Sequence, residues 1–161
     1  MGTLMQLRSG TADETFALGQ ALGRVLEEGD FVGLSGQLGA GKTLFSRGVA
    51  DGAGVPLDDV SSPTYSIIQS YRGRLALHHA DLYRLRSEED LFSTGYQDLL
   101  DGEGAFLVEW VEQVPSAAPA DALRVKLVVT TPDTRTLEIA TSGPRSEALW
   151  ARWLAATSGS P

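Results

Sequence analysis

Apolar and polar positions along the chain change period several times, and each change marks an element. Thr11 followed by Glu14 is a capping-box start. Leu18, Leu22, Val25 and Leu26 then recur at helical spacing until Gly29 supplies a stop. Phe31-Val32-Gly33-Leu34 is a short apolar run before a glycine-rich turn, the pattern of a buried strand. A second helix is predicted over residues 44–53, closed by Gly52 and Gly54. Residues 65–71 and 75–80 read as two strands joined at Arg72-Gly73, a hairpin signal. Residues 87–100 read as one helix, with Glu88 and Glu89 in the first turn, where the helix dipole favours acids. Residues 105–108 form another buried strand, and the Pro/Ala-rich stretch 114–122 a connection. Residues 123–129 and 136–140 make a second hairpin around Pro132-Asp133, and 146–156 a closing helix with Trp150 and Trp153. The end, 157–161, is expected to fray. Strands and helices alternate first and hairpins come after. The expected fold is therefore one α/β domain over residues 1–156, with three layers and a mixed parallel and antiparallel sheet.

Composition narrows the class. The chain has 161 residues, 42% hydrophobic and 21% charged, as expected of a globular domain with a real core. It has no cysteine, which excludes a disulfide framework, a thiolate metal site and a cysteine nucleophile. No apolar run exceeds four residues, so neither a signal peptide nor a membrane helix is expected, and the chain reads as soluble and cytoplasmic. Met1-Gly2 opens like a myristoylation signal, but Gln6 stands where that signal needs Ser or Thr.

The net charge of −8 is unevenly placed. Nine acids and no base lie between Ser87 and Leu123; elsewhere thirteen bases face twelve acids, a net of +1. This segment is either a solvated face or a docking face. The charge excludes a generically basic nucleic-acid coat.

Gly36-Gln37-Leu38-Gly39-Ala40-Gly41-Lys42-Thr43 satisfies G-x-x-x-x-G-K-[ST] at every fixed position, between a predicted strand and a predicted helix. Glycines let successive N–H groups curl around a phosphate, and the helix N-terminus adds partial positive charge. Lys42 suits the β and γ phosphates, and the Thr43 hydroxyl suits Mg²⁺. A nucleoside triphosphate with Mg²⁺ is the expected ligand. Guanine-reading proteins carry an N-K-x-D element, which is absent, so ATP is expected. Asp101-Gly102-Glu103-Gly104 matches D-x-x-G but precedes a strand instead of following one.

Such a loop needs an acid from a neighbouring strand. Asp81 and Glu109 each close an apolar strand, at the edge where open α/β sheets bind ligands. His78 and His79 are adjacent, so on a strand they face opposite ways and do not share an ion. Arg84 and Arg86 come just after Asp81 and are either phosphate contacts or solvated charges. Ser61-Ser62-Pro63-Thr64-Tyr65 is either a switch-like loop sensing a γ-phosphate or a plain strand cap.

The ordered set of the phosphate loop, Ser62-Pro63-Thr64, His79-x-Asp81-Leu82-Tyr83-Arg84-Leu85 and Glu109-Trp110 closely resembles the TsaE (YjeE) family over about residues 10–140. The resemblance implies a small P-loop ATPase in the synthesis of threonylcarbamoyladenosine in tRNA, acting with TsaB and TsaD; with its uneven, acidic charge the chain is expected to meet tRNA only through that complex. It implies that Lys42 and Thr43 bind phosphate and Mg²⁺ and that Glu109 is the Mg²⁺-side acid. It further implies that Asp81 is needed for hydrolysis, that Thr64 belongs to the switch-like loop and that Trp110 lies beside the nucleotide. Tyr65 and Ala80 depart from the family pattern, which more often has Phe and an aromatic there. Arg135, at the second hairpin turn, is either a nucleotide contact or an exposed turn charge. Two other readings stay open: a small-molecule kinase on the same fold, and a nucleotide-gated assembly factor without turnover.

Overall fold

The computed structural model describes residues 4–60 and 67–158. The elements, in chain order, are β1 (Leu4–Ser9), α1 (Ala12–Val25), β2 (Phe31–Gly36), α2 (Lys42–Gly52), β3 (Ile68–Arg72), β4 (Ala76–Asp81), α3 (Glu88–Phe92), α4 (Tyr96–Leu100), β5 (Ala105–Glu109), β6 (Leu123–Val129), β7 (Arg135–Ala140) and α5 (Pro144–Ser158). The strands form one mixed sheet in the order β1-β7-β6-β2-β5-β4-β3. Its centre, β6-β2-β5-β4, is parallel; β3 adds to one side and β7 and β1 to the other, all antiparallel. The central strands are short and apolar on both faces because helices cover both: every residue of β5 is buried.

One face carries the larger core. Leu22 of α1 and Leu26 just after it, Phe45 and Val49 of α2 and Trp153 of α5 pack there on Val32, Leu34, Leu107 and Val125. The other face holds Phe31, Phe106 and Val108 under Leu91 of α3, Tyr96 of α4 and the 3₁₀ turns Val111–Gln113 and Pro115–Ala117. The three layers and the mixed sheet are those expected. The period-two burial of β6, with Leu123, Val125 and Leu127 inward, puts it beside a half-open face.

The local signals act as read, with instructive differences. Glu14 N–H donates to Thr11 Oγ1 at 3.1 Å, while Glu14 Oε2 accepts from Gly10 N–H at 2.8 Å, one residue before the capping amide of an ordinary box. The predicted helix over 87–100 is two helices: Gly95, with φ of +83°, breaks it and starts α4. β1 has no counterpart among the predicted elements. Pairing with β7 defines it, and its own pattern is weak, with Leu4 67% exposed. α5 runs on to Ser158, past the point where fraying is expected; 159–161 lie outside the described residues.

Two sets of contacts hold the helices in place over the sheet. Asp30, buried just before β2, receives Glu27 N–H at 2.8 Å and Arg152 Nη2 at 2.9 Å, so α5 is tied to the base of the sheet. Burial pushes its carboxyl up, against the pull of the Glu27 N–H, Arg152 and Arg145. The second set joins α1 to α2. A Cβ on Gly19 would lie 2.4 Å from Phe45 O, and one on Gly23 2.0 Å from Val49 O. In return, a Cβ on Gly48 would lie 2.3 Å from Phe16 O, and one on Gly52 2.0 Å from Gln20 O. Glycines four apart on each helix thus let the two backbones touch.

Gly23→Ala tests that contact. In an exposed helix the change would gain up to about 1 kcal/mol; here the methyl meets a backbone carbonyl that cannot move aside. Urea unfolding is expected to show a loss of about 1–3 kcal/mol, and a gain would mean the helices are not in backbone contact.

Candidate functional site

The glycine-rich loop sits at the carboxyl edge of the parallel strands because its first residue cannot be anything larger. A Cβ on Gly36, at φ of +134°, would lie 2.5 Å from Leu127 O of β6. Gly39 and Gly41 take φ of +84° and +105°, and Gly41 caps α2 with no side-chain hydrogen bond. The first backbone bond into α2 runs from Phe45 N–H to Gly41 O at 2.9 Å. The amides of Lys42, Thr43 and Leu44 therefore point ahead of the helix, an arrangement suited to an anion.

A cavity of about 500 Å³ opens in front of them, lined by Leu38, Gly39, Gly41, Lys42, Thr43, Arg47, Asp81, Tyr83, Glu109 and Trp110. A second, of about 290 Å³, lies on the other side of Gly41 and Leu44, lined by Thr11, Thr15, Ala40, Pro132, Asp133 and Arg135 among others. Of the sequence-predicted residues, Leu38, Gly39, Gly41, Lys42, Thr43, Asp81, Glu109 and Trp110 converge on the first cavity, and Ala40 and Arg135 on the second. Gln37 is an exposed loop residue whose carbonyl accepts Lys42 Nζ. Thr64 and its neighbours Ser61 to Tyr65 lie outside the described residues.

Lys42 is only 5% exposed. Its Nζ donates to Gly36 O at 2.5 Å and Gln37 O at 2.8 Å and stands 4.0 Å from the Trp110 ring centroid. Burial pushes its ammonium below the usual lysine value; Glu112, Glu109 and Asp81 pull it back up. Trp110 has φ of +59°, the one non-glycine residue with positive φ among those described. That left-handed turn ends β5 and lays the indole between Lys42 and the Tyr83 ring, whose centroid is 4.7 Å away.

Strand register brings the acids together. Glu109 of β5 lies beside Leu34 of β2 on one side and Asp81 of β4 on the other, so both carboxylates share the face toward α2. Glu109 is 3% exposed, and His79 Nε2 donates to its Oε2 at 2.6 Å. Asp81 Oδ1 accepts Tyr83 N–H at 3.0 Å. Burial raises the Asp81 carboxyl; the Tyr83 bond lowers it, the neighbouring Glu109 raises it further, and His79 and Lys42 lower it.

Other assignments are sharpened. His78, on the opposite face, lies 2.8 Å by Nδ1 from Ser70 Oγ and donates by Nε2 to Glu103 O at 2.8 Å, so the D-x-x-G stretch serves as a strut before β5. Arg84 and Arg86 are exposed. Arg135 is not an exposed turn charge: Nε donates to Ala40 O at 2.9 Å and Nη1 to the carbonyls of Thr131, Pro132 and Thr134, which ties the hairpin turn to the phosphate loop. Sequence reasoning misses Arg47 and Tyr83 as cavity residues and His79 as the partner of Glu109. The two-residue spacing from Asp81 is the available signal for His79.

The donors suit Mg²⁺. Thr43, Asp81 and Glu109 offer hard oxygens, and among the described residues no three His, Cys, Asp or Glu side chains could hold a metal ion by themselves. Mg²⁺ takes one or two protein carboxylates and completes its shell with substrate phosphates and water.

The model of the family described as threonylcarbamoyl adenosine biosynthesis protein TsaE matches residues 9–137. The chain belongs to the TsaE family. It is similar to the tRNA threonylcarbamoyladenosine biosynthesis protein TsaE of Treponema pallidum (strain Nichols), 40% identical over 136 residues, covering 84% of this chain and 100% of that one. The protein of the same name from Bacillus subtilis (strain 168) is 35% identical over 147 residues, 90% of each chain. The crystal structure of Bacillus subtilis YdiB superposes with a TM-score of 0.79 at 28% identity, over 96% of both chains. The TsaE match thus spans the phosphate loop, both acids and Trp110.

The left-handed turn at Trp110 makes a prediction independent of any ligand. Both Trp110→Ala and Trp110→Gly remove the indole, but only glycine adopts that backbone without strain. Thermal or urea unfolding is expected to find the glycine variant more stable than the alanine variant by about 1 kcal/mol.

Proposed function

We propose that this chain binds ATP with Mg²⁺ and hydrolyses it in the synthesis of threonylcarbamoyladenosine in tRNA, supporting turnover of a TsaB–TsaD complex. The observation that carries the reading is the convergence of Lys42, Thr43, Asp81 and Glu109 on one cavity at the open N-terminus of α2. The triphosphate lies along the amides of residues 39–44, with Lys42 exchanging loop carbonyls for phosphate oxygens. The adjoining cavity, beyond Gly41 and Leu44, takes the nucleoside, with Arg135 holding one wall.

Thr43 and Glu109 would hold the cation. When bound, Mg²⁺ neutralises charge on the β and γ phosphates. Asp81 sits beside Glu109 with its carboxyl raised by burial, which makes it a better proton acceptor than a solvated aspartate, and it orients the attacking water. Trp110 covers Lys42 and shields that region from solvent.

Charge supports indirect contact with tRNA. Glu88, Glu89, Asp90, Asp98, Asp101, Glu103 and Glu112 are exposed on the side of α3 and α4, whereas tRNA binding needs clustered bases. The acidic side is suited to steering a partner of opposite charge. Among the described residues no helix is long and apolar enough to cross a membrane.

Three experiments test the reading. Asp81→Asn is expected to bind ATP as the wild type does and to lose hydrolysis, whereas Glu109→Gln is expected to show a weakened Mg²⁺ dependence of binding. Calorimetry with steady-state phosphate release separates the two, and unchanged turnover in both would remove these acids from the chemistry. The second experiment measures turnover with and without the TsaB–TsaD pair, together with a tRNA gel shift of the chain alone. Turnover is expected to rise with the pair, and tRNA to bind poorly without it. Lys42→Ala, losing charged hydrogen bonds of roughly 1.5–3 kcal/mol, should bind ATP about 10- to 150-fold more weakly. Phosphate transfer to a small metabolite with no response to the pair would favour the kinase reading.

A further inference from the structure

We infer that His79 is a positioning residue, whose imidazole fixes the buried Glu109 carboxylate so that its free oxygen faces the nucleotide's cation. The inference rests on the Mg²⁺–nucleotide reading of the cavity. Parallel pairing sets Asp81 beside Glu109, and the two-residue period of β4 puts His79 on the same face, one step nearer the middle of the sheet. The imidazole therefore meets Glu109 from the core side, while the cavity meets it from the solvent side. Both groups are nearly sealed, His79 at 6% exposure and Glu109 at 3%, and Nε2 lies 2.6 Å from Oε2.

A carboxylate this deep is costly without a partner. Lys42, a cation whose charge reaches Glu109, spends its own hydrogen bonds on Gly36 O and Gln37 O. His79 thus does two things at once. It satisfies one oxygen and leaves the other to the cavity, and it keeps Glu109 from turning to Lys42, an ion pair that would take both groups away from their ligands. A histidine that orients a ligating carboxylate from behind is worth typically 10- to 100-fold in metal affinity. The adjacent His78 makes a built-in comparison: it is equally buried but points to the opposite face, onto Ser70 and the Glu103 carbonyl.

The test titrates a non-hydrolysable ATP analogue into the full chain by calorimetry, once in EDTA and once in Mg²⁺, for the wild type, His79→Leu and His79→Gln. Affinity in EDTA is expected to agree among the three within about twofold, because the phosphate loop is untouched. The gain on adding Mg²⁺ is expected to fall about 10- to 100-fold in His79→Leu and to be largely restored in His79→Gln, whose amide can donate from a similar position. An undiminished Mg²⁺ gain in His79→Leu overturns the inference. So does a Gln variant as weak as the Leu variant, since ring volume and not the hydrogen bond would then matter. A wild type that binds no analogue, or gains nothing from Mg²⁺, overturns instead the nucleotide reading beneath it. Should His79→Leu fail to fold, the wild type alone decides. The chain has two histidines, so ¹⁵N spectra of the rings resolve both. Adding Mg²⁺ to analogue-saturated protein is expected to shift the His79 Nε2 resonance and leave His78 in place. A His79 resonance that does not respond, where calorimetry shows the Mg²⁺ gain, overturns the inference.

Discussion

The cavity at the N-terminus of α2 depends on backbone lying against backbone. Gly19 and Gly23 of α1 meet the carbonyls of Phe45 and Val49, and Gly48 and Gly52 of α2 meet those of Phe16 and Gln20. Gly36 meets Leu127 O in the same manner. These contacts set the height of α2 above the sheet, and so where its N-terminus stands relative to the ends of β4 and β5. Side chains at such contacts could repack when a ligand arrives; carbonyls in helices and strands cannot. The rigidity matters because the groups to be aligned come from separate elements. Lys42 and Thr43 lie on α2, Asp81 on β4 and Glu109 on β5, and neither acid is held to the loop, or to the other acid, by sequence proximity.

That separation explains how much is legible in the sequence. The loop and the residues suited to its chemistry can be read because G-x-x-x-x-G-K-[ST] is a local motif and because Asp81 and Glu109 each end an apolar run. Their adjacency cannot be read, since it comes from β4 pairing with β5 across a stretch containing two helices. The same holds for β1. Six residues with an exposed Leu4 make a weak strand signal, and pairing with β7, far along the chain, is what makes them one. The split of residues 87–100 has a different cause. Gly95 is visible, but a glycine within a helical pattern reads as tolerated unless its positive φ is known.

Electrostatics gives the least guidance from composition alone. The acidic run from Glu88 to Asp121 looks uniform in sequence, yet folding divides it by depth. Glu109 is sealed against His79, while Glu88, Glu89 and Asp90 stand in solvent on the first turn of α3. Lys42 is divided from the other basic residues in the same way, as a buried cation among three acids and an indole. A buried ammonium held by two carbonyls is poorly solvated, and its desolvation has already been met in folding. A phosphate that takes the place of those carbonyls then gains the attraction of the charge without having to strip water from it first.

Trp110 shows how the two cores meet at this point. The larger core stops at Leu34 and Leu107 under α2, and the smaller one continues through Val108 and Val111 on the opposite face. Residue 110 lies between a strand residue that faces the cavity and a turn residue that faces the smaller core. An extended backbone there would carry β5 onward past the edge of the sheet. The left-handed turn ends the strand, sends Val111 down into the smaller core and leaves the indole over Lys42. Glycine would turn as easily but would leave the ammonium open to solvent, so the strain of a large residue at positive φ is offset by what its ring covers. Glu109 is held from behind by His79 and Lys42 is covered in front by Trp110, and the two holding groups reach the cavity from neighbouring strands. Any shift of β5 would therefore disturb both charges together, and β5, fully buried and hydrogen-bonded on both sides, is the element least able to shift.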